Sequence, residues 1–151
     1  MSITEEELEI FSRQLILKDF SEEKFNELQK KQISIIGLGG IGCPLAQYLI
    51  SSGIKKLNIF DGDIIQKNNL NRQTLYSIND IGKKKSGIAK KKLLGTNPNA
   101  IINSYDQKIT KNNLHLLKNS SIIIDASDNW ETMKLINKYT TKNNLPLLSI
   151  S

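Results

Sequence analysis

The spacing of apolar positions changes period along this chain, and each change marks an element. From Thr4 the period is helical: Leu8, Phe11 and Leu15 fall on one face, and Thr4-x-x-Glu7 has the form of a capping box. A second, shorter helix is predicted after Ser21, with Phe25 and Leu28 inward. The β-branched run Ile33-Ser-Ile-Ile36 then ends in Gly37, which predicts a short buried strand. Beyond it, helical and strand-like stretches alternate. Helices are predicted over 42–52, stopped by Gly53, over 83–94, stopped by Gly95 with Pro98 beyond, and over 110–118 and 131–142. Strands are predicted at 57–60, 101–105, 122–124 and 147–151, and a long polar loop runs from Asp61 to Gly82.

Strands alternating with helices predict an α/β, Rossmann-like fold: a mostly parallel sheet with helices on both faces. The division expected is N-terminal helices over 1–30 and a nucleotide-binding unit over 31–151. In such sheets ligands sit beyond the carboxyl ends of the strands. The first, second and fourth predicted strands run into Gly37–Gly42, Asp61 and Asp125–Asn129, so these segments should converge on one crevice.

Composition narrows the picture further. The 151 residues suit one domain with a real core, and 38% hydrophobic with 24% charged residues is typical of globular chains. No apolar run approaches the roughly 18–20 residues of a membrane span. The acidic stretch Met1 to Glu9 does not read as a secretory signal. A single cysteine, Cys43, excludes an internal disulfide framework and a Cys₄ zinc site, and a reducing cytoplasmic setting is expected. The net charge of +6 comes from scattered lysines, a pattern that predicts neither nucleic-acid nor membrane binding.

Gly37-Leu-Gly-Gly-Ile-Gly42 fits G-x-G-x-x-G between a strand and a helix. Glycines there let the backbone approach a phosphate, and the helix start offers free N–H groups. Asp61 follows about 20 residues later, at the end of the next strand, where a carboxylate accepts from ribose hydroxyls. No Gly-Lys-Ser/Thr ends the turn, so it is not a Walker A loop. Alone, the turn and Asp61 would favour NAD. Asn68-Asn-Leu-Asn-Arg-Gln73 then offers amides and a guanidinium: Asn68, Asn69 and Gln73 as hydrogen-bonding groups, and Arg72 as a fork for phosphate oxygens. Lys85 opens the next predicted helix, within reach of a β- or γ-phosphate. By local composition alone these stretches are a solvated loop and a solvated lysine face.

Arg13-Gln14, the Gly37–Gly42 turn, Asp61-Gly-Asp63, Asn69-Leu-Asn-Arg-Gln73, Gly82 to Lys85, Asn97-Pro98 and Asp125-Ala-Ser-Asp-Asn129 occur in one order. In that order the chain resembles the MoeB/ThiF family, bacterial relatives of ubiquitin-activating enzymes, over nearly its whole length. The resemblance implies adenylation of the C-terminal glycine of a ubiquitin-like sulfur-carrier protein ending in Gly-Gly, with ATP and Mg²⁺, in molybdopterin or thiamine biosynthesis. It implies that Gly40 and its neighbours Gly37, Gly39 and Gly42 approach the nucleotide, and that Asp61 holds the ribose. It places Asn69, Arg72 and Lys85 on the phosphates, Asp128 beside Asn129 on Mg²⁺, and Arg13 on the nucleotide of the other subunit of a homodimer.

Plainer roles stand beside these. Asp128-x-x-Glu131 also reads as a capping box, Asp63 as structural, Arg13 and His115 as surface residues, Trp130 as core packing and Cys43 as a small buried hydrophobe. The chain stops at Ser151, on a stretch that reads as a core strand, whereas members of the resembled family continue further. A truncated product or fragment is therefore expected, lacking the Cys-x-x-Cys zinc pairs and catalytic cysteine of some members, so zinc is not supported here. The alternatives are an NAD-binding oxidoreductase domain and a non-catalytic ATP-binding remnant.

Overall fold

A computed structural model describes residues 3–150. Strands β1 (Gln32–Ile36), β2 (Lys56–Phe60), β3 (Ile101–Tyr105), β4 (Ile122–Asp125) and β5 (Leu147–Ser149) pair in the order β3-β2-β1-β4-β5, every pair parallel. Alternate residues of each strand feed opposite faces. On one face Ile35, Leu57, Ile59 and Ile102 meet Ala46 and Ile50 of α3 (Gly42–Ser51) and Ala89 and Leu93 of α4 (Lys85–Thr96). On the other, Ile36, Phe60 and Ile123 meet Ile136 of α5 (Trp130–Asn143) and Leu117 of the 3₁₀ turn Leu114–Leu117. This is the expected Rossmann-like α/β arrangement.

A polar row, buried at Asn58, Ser34 and Ser120, crosses the second face. Asn103 Nδ2 donates to Asn58 Oδ1 (3.0 Å), Asn58 Nδ2 to Ser34 Oγ (3.2 Å), and Ser34 and Ser120 share a hydroxyl bond of 2.6 Å. A one-residue slip of any of these strands would strand buried polar groups, so the row specifies register. That register sets Ile36 beside Phe60 and Asp125, levelling the strand ends from which the site is built.

Helices α1 (Glu5–Leu15) and α2 (Glu22–Lys30) pack at the amino end of β2, away from those strand ends. Thr4 closes the predicted capping box with Glu7. Phe11 and Phe25 lie 4.8 Å apart by ring centroid, with Phe25 against Gly53, and Glu7 pairs with Lys55 at 2.7 Å. Leu8, expected inward, is exposed; Phe11 and the half-buried Leu15 carry the contact.

Three predicted elements end differently. Gly53 does follow α3, with φ +96°, but Gly95 lies inside α4, which continues to Thr96 before Asn97-Pro98 ends it. The stretch 110–118 is not a regular helix: Asn113 Oδ1 accepts from the Thr110 amide (2.7 Å) and its Nδ2 donates to Lys108 O (2.9 Å), local bonds that compete with helical ones. The predicted end of the last strand, Ser151, lies outside the described residues. An added Cβ at Gly95 meets nothing within 4 Å. Gly95→Ala is therefore expected to stabilise the fold by about 0.5–1 kcal/mol, a rise of about 1–4 °C in a thermal melt.

Candidate functional site

The glycine turn leaves β1 under tight steric limits. Gly37 has φ +91°, and a Cβ there would lie 2.7 Å from Ala126 O; a Cβ on Gly42 would lie 2.0 Å from Gly37 O. The Gly37 amide donates to Phe60 O (2.8 Å) and the Cys43 amide to Gly39 O (3.0 Å). Among the described residues the amides of Gly39 and Gly40 have no protein acceptor, so both remain for a ligand at the start of α3.

The turn forms one wall of a crevice of about 710 Å³ at the carboxyl ends of β1, β2 and β4, within the roughly 300–1,000 Å³ of small-molecule sites. Gly37, Gly39, Gly40, Asp61, Asn69, Arg72, Gln73, Lys85, Asp128 and Asn129 all line it. Gly42 lies beneath the turn as a packing residue. Asn68 stays outside: its side chain accepts from Asn69 Nδ2 (3.2 Å) and its carbonyl from Arg72 Nη1 (3.0 Å), so it shapes the loop. Arg13, on α1, does not line this chain's own crevice.

Asp61 is held at both oxygens: Oδ2 accepts from the Leu38 amide (2.8 Å) and Oδ1 from the Asp63 amide (2.9 Å). Lys85, only 6% exposed, sits 3.3 Å from Asp63 Oδ2 and 4.0 Å from Asp61 Oδ2. Lys108 reaches Asp63 Oδ1 at 3.4 Å. Burial pushes the Asp61 carboxyl above its ordinary range, against the two amides and Lys85. At Asp63 burial also pushes upward, but the Lys85 and Lys108 ammoniums prevail and hold it low. The predicted solvated lysine face is thus wrong for Lys85, which is a buried cation between two carboxylates.

Across the crevice Asp125 is 1% exposed; its Oδ1 accepts from Ser127 N (3.0 Å) and Oγ (2.6 Å), folding the segment that carries Asp128. Asp128 does not cap α5. Asn129 does, accepting from the Thr132 amide (2.9 Å), which leaves the exposed Asp128 carboxylate at the crevice rim. Trp130, expected in the core, is 62% exposed, with Lys134 over its ring at 5.1 Å. His115 is exposed. Cys43 is buried, and burial raises its thiol to about 11, as befits a packing residue. Lys108, Tyr76 and Gln66 escaped the sequence reading; their partners are distant in the chain or they carry no motif.

A model of the ThiF family matches residues 11–151. The chain belongs to the ThiF family. Among curated relatives, adenylyltransferase and sulfurtransferase MOCS3 of Drosophila virilis is 37% identical over 149 residues, covering 98% of this chain and 33% of the relative. The sulfur carrier protein adenylyltransferase of Thermus thermophilus is 34% identical over 149 residues, covering 98% of this chain and 55% of its own length. The E. coli MccB structure with AMPCPP and MccA matches with a TM-score of 0.78 at 29% identity, over 84% of this chain and 39% of that one. This ThiF-family chain therefore spans a third to about half the length of these two curated relatives. Among its described residues no helix is long and apolar enough to cross a membrane, and no three metal-binding side chains cluster.

Proposed function

We propose that the chain binds ATP in the β1–β2–β4 crevice and adenylates the C-terminal glycine of a ubiquitin-like sulfur-carrier protein. The observation that carries this reading is the buried Lys85 beside Asp61, lining one crevice with Arg72 and the free amides of Gly39 and Gly40. A ribose acceptor, two cations and an amide cradle together suit a nucleoside triphosphate better than the diphosphate of NAD. The names of the two curated relatives point to the same chemistry.

The nucleophile, a carboxylate, is already anionic, so the chain needs no general base. Its task is to hold the carboxylate in line with the α-phosphorus and to neutralise charge as pyrophosphate leaves. Asp61 would fix the ribose, Asn69, Arg72 and Lys85 the phosphates, and Gly39 and Gly40 the backbone cradle. Asp128 fits Mg²⁺: it is one exposed oxygen donor with no protein hydrogen bond among the described residues, and Mg²⁺ takes most of its ligands from phosphate and water. When bound, Mg²⁺ would supply charge neutralisation on the phosphates. Arg13 would serve the partner's nucleotide in a homodimer.

Carrier-dependent ATP–pyrophosphate exchange tests the reading, with a carrier ending in Gly-Gly and the intact, folded protein. No exchange at saturating carrier would sink it. The electrostatics add an expectation. The raised folded value of Asp61 means its contribution to stability is full below the ordinary carboxylate range and is lost as pH rises through the raised value. Ribose binding runs oppositely, since it uses the ionised form. ATP affinity is expected to fall on acidification before the ordinary Asp range is reached, and Asp61→Asn to flatten that fall in calorimetric titrations.

A further inference from the structure

Two successive peptide groups of the glycine turn, on either side of Leu38, are each held by buried partners. The Leu38 N–H donates to Asp61 Oδ2 at 2.8 Å, and the Leu38 carbonyl accepts from Tyr76 Oη and Cys43 Sγ, each at 3.2 Å. All four side chains are buried. Neither the family motifs nor the crevice lining includes Tyr76. Yet it stands four residues after Arg72, whose stem lies where a Gly40 Cβ would come within 3.3 Å of it. The phenol therefore ties the loop carrying Arg72 to the Leu38–Gly39 peptide, whose N–H is the free Gly39 amide, while the preceding peptide donates to Asp61.

We propose that Tyr76, assisted by Cys43, is a positioning residue of the nucleotide site: it fixes the plane of the Leu38–Gly39 peptide and thereby aims the free Gly39 amide at the phosphates. The inference rests on the reading of the crevice as an ATP site. Without the phenol that peptide can rotate, and the Gly39 amide drifts from the direction in which it is offered to a phosphate. Cys43 gives the weaker half of the clamp, since a thiol is a poor donor.

Calorimetric titration of the intact protein with Mg-ATP distinguishes the possibilities. Tyr76→Phe is expected to weaken ATP binding about five- to tenfold, the loss of one hydrogen bond. With adenosine, which carries no phosphate, the same substitution is expected to change affinity less than twofold, because the amide it aims meets only phosphate. Cys43→Ala should weaken binding less than Tyr76→Phe, and Cys43→Ser should restore it; this pair serves if Tyr76→Phe does not fold. A purely structural hydroxyl gives an equal loss with ATP and with adenosine. That result, or wild-type affinity in both Tyr76→Phe and Cys43→Ala, overturns the proposal. A wild-type protein that binds no ATP overturns the reading of the crevice and this inference with it.

Discussion

Gly42→Ala is expected to abolish ATP binding and to destabilise the fold by about 3 kcal/mol or more, since a buried Cβ with nowhere to go forces the backbone apart. Its Cβ would lie 2.0 Å from the Gly37 carbonyl oxygen and 2.9 Å from the Gly37 carbonyl carbon. Both are backbone atoms, so no rotamer change relieves the contact. The turn cannot open away from α3 either, because Gly37 is itself pressed against Ala126 and already uses a positive φ. Gly39→Ala is the informative contrast. Its Cβ would meet only Gln73 Nε2, at 4.0 Å, so the fold survives and only the approach of phosphate to the turn is obstructed. Thermal melts and ATP titrations of the two variants separate the roles. A Gly42→Ala protein that melts and binds ATP like the wild type would show that the turn is looser than its geometry requires.

Much of this site could be read along the chain because it is built from short, local segments at strand ends. The Gly37–Gly42 turn, Asp61 and the Asp125–Asn129 segment each follow a strand, and a parallel sheet must bring strand ends together. What the chain concealed is tertiary. Lys85 reads as one of three lysines in a row, and only the fold shows that it turns inward between Asp61 and Asp63 while Lys83 and Lys84 pair elsewhere, with Asp80 and Asp106. Tyr76 bonds Leu38 across 38 residues, and Lys108 meets Asp63 from beyond β3. Two plainer readings, Asp128 as a cap and Trp130 as core, lost local competitions decided by geometry. Asp128 and Asn129 are both good caps, and the Asx turn at Asp125 shifts the helix start so that Asn129 takes the role. Trp130, at the first helical position of α5, faces outward because Ile136 and the half-buried Leu135 and Tyr139 already supply the inward face.

Lys85→Ala is expected to weaken ATP binding tenfold to about a hundredfold, the range for one charge-assisted bond to phosphate. The ammonium is buried and pre-positioned, so its loss cannot be made good by a neighbouring side chain. Lys108 is occupied by Asp63, and Arg72 Nη1 is bonded to Asn68 O and Asn71 Oδ1. Stability should respond as well, and with a definite pH sense. Removing Lys85 raises the Asp61 carboxyl further, so its ionised form costs more; it also releases Asp63 from the cation that holds it low. Both carboxylates are penalised where they are ionised. The deficit of Lys85→Ala against wild type is therefore largest at neutral pH and shrinks as the solution is acidified through their folded values. Arg72→Ala should weaken ATP binding without that pH-dependent deficit, since Arg72 is exposed and pairs with no carboxylate among the described residues. Denaturant melts at neutral and acid pH, alongside ATP titrations, check both halves. If Lys85→Ala binds ATP within twofold of wild type, the triphosphate does not reach the Asp61–Lys85 wall, and the crevice must hold its ligand by the glycine turn and Arg72 alone.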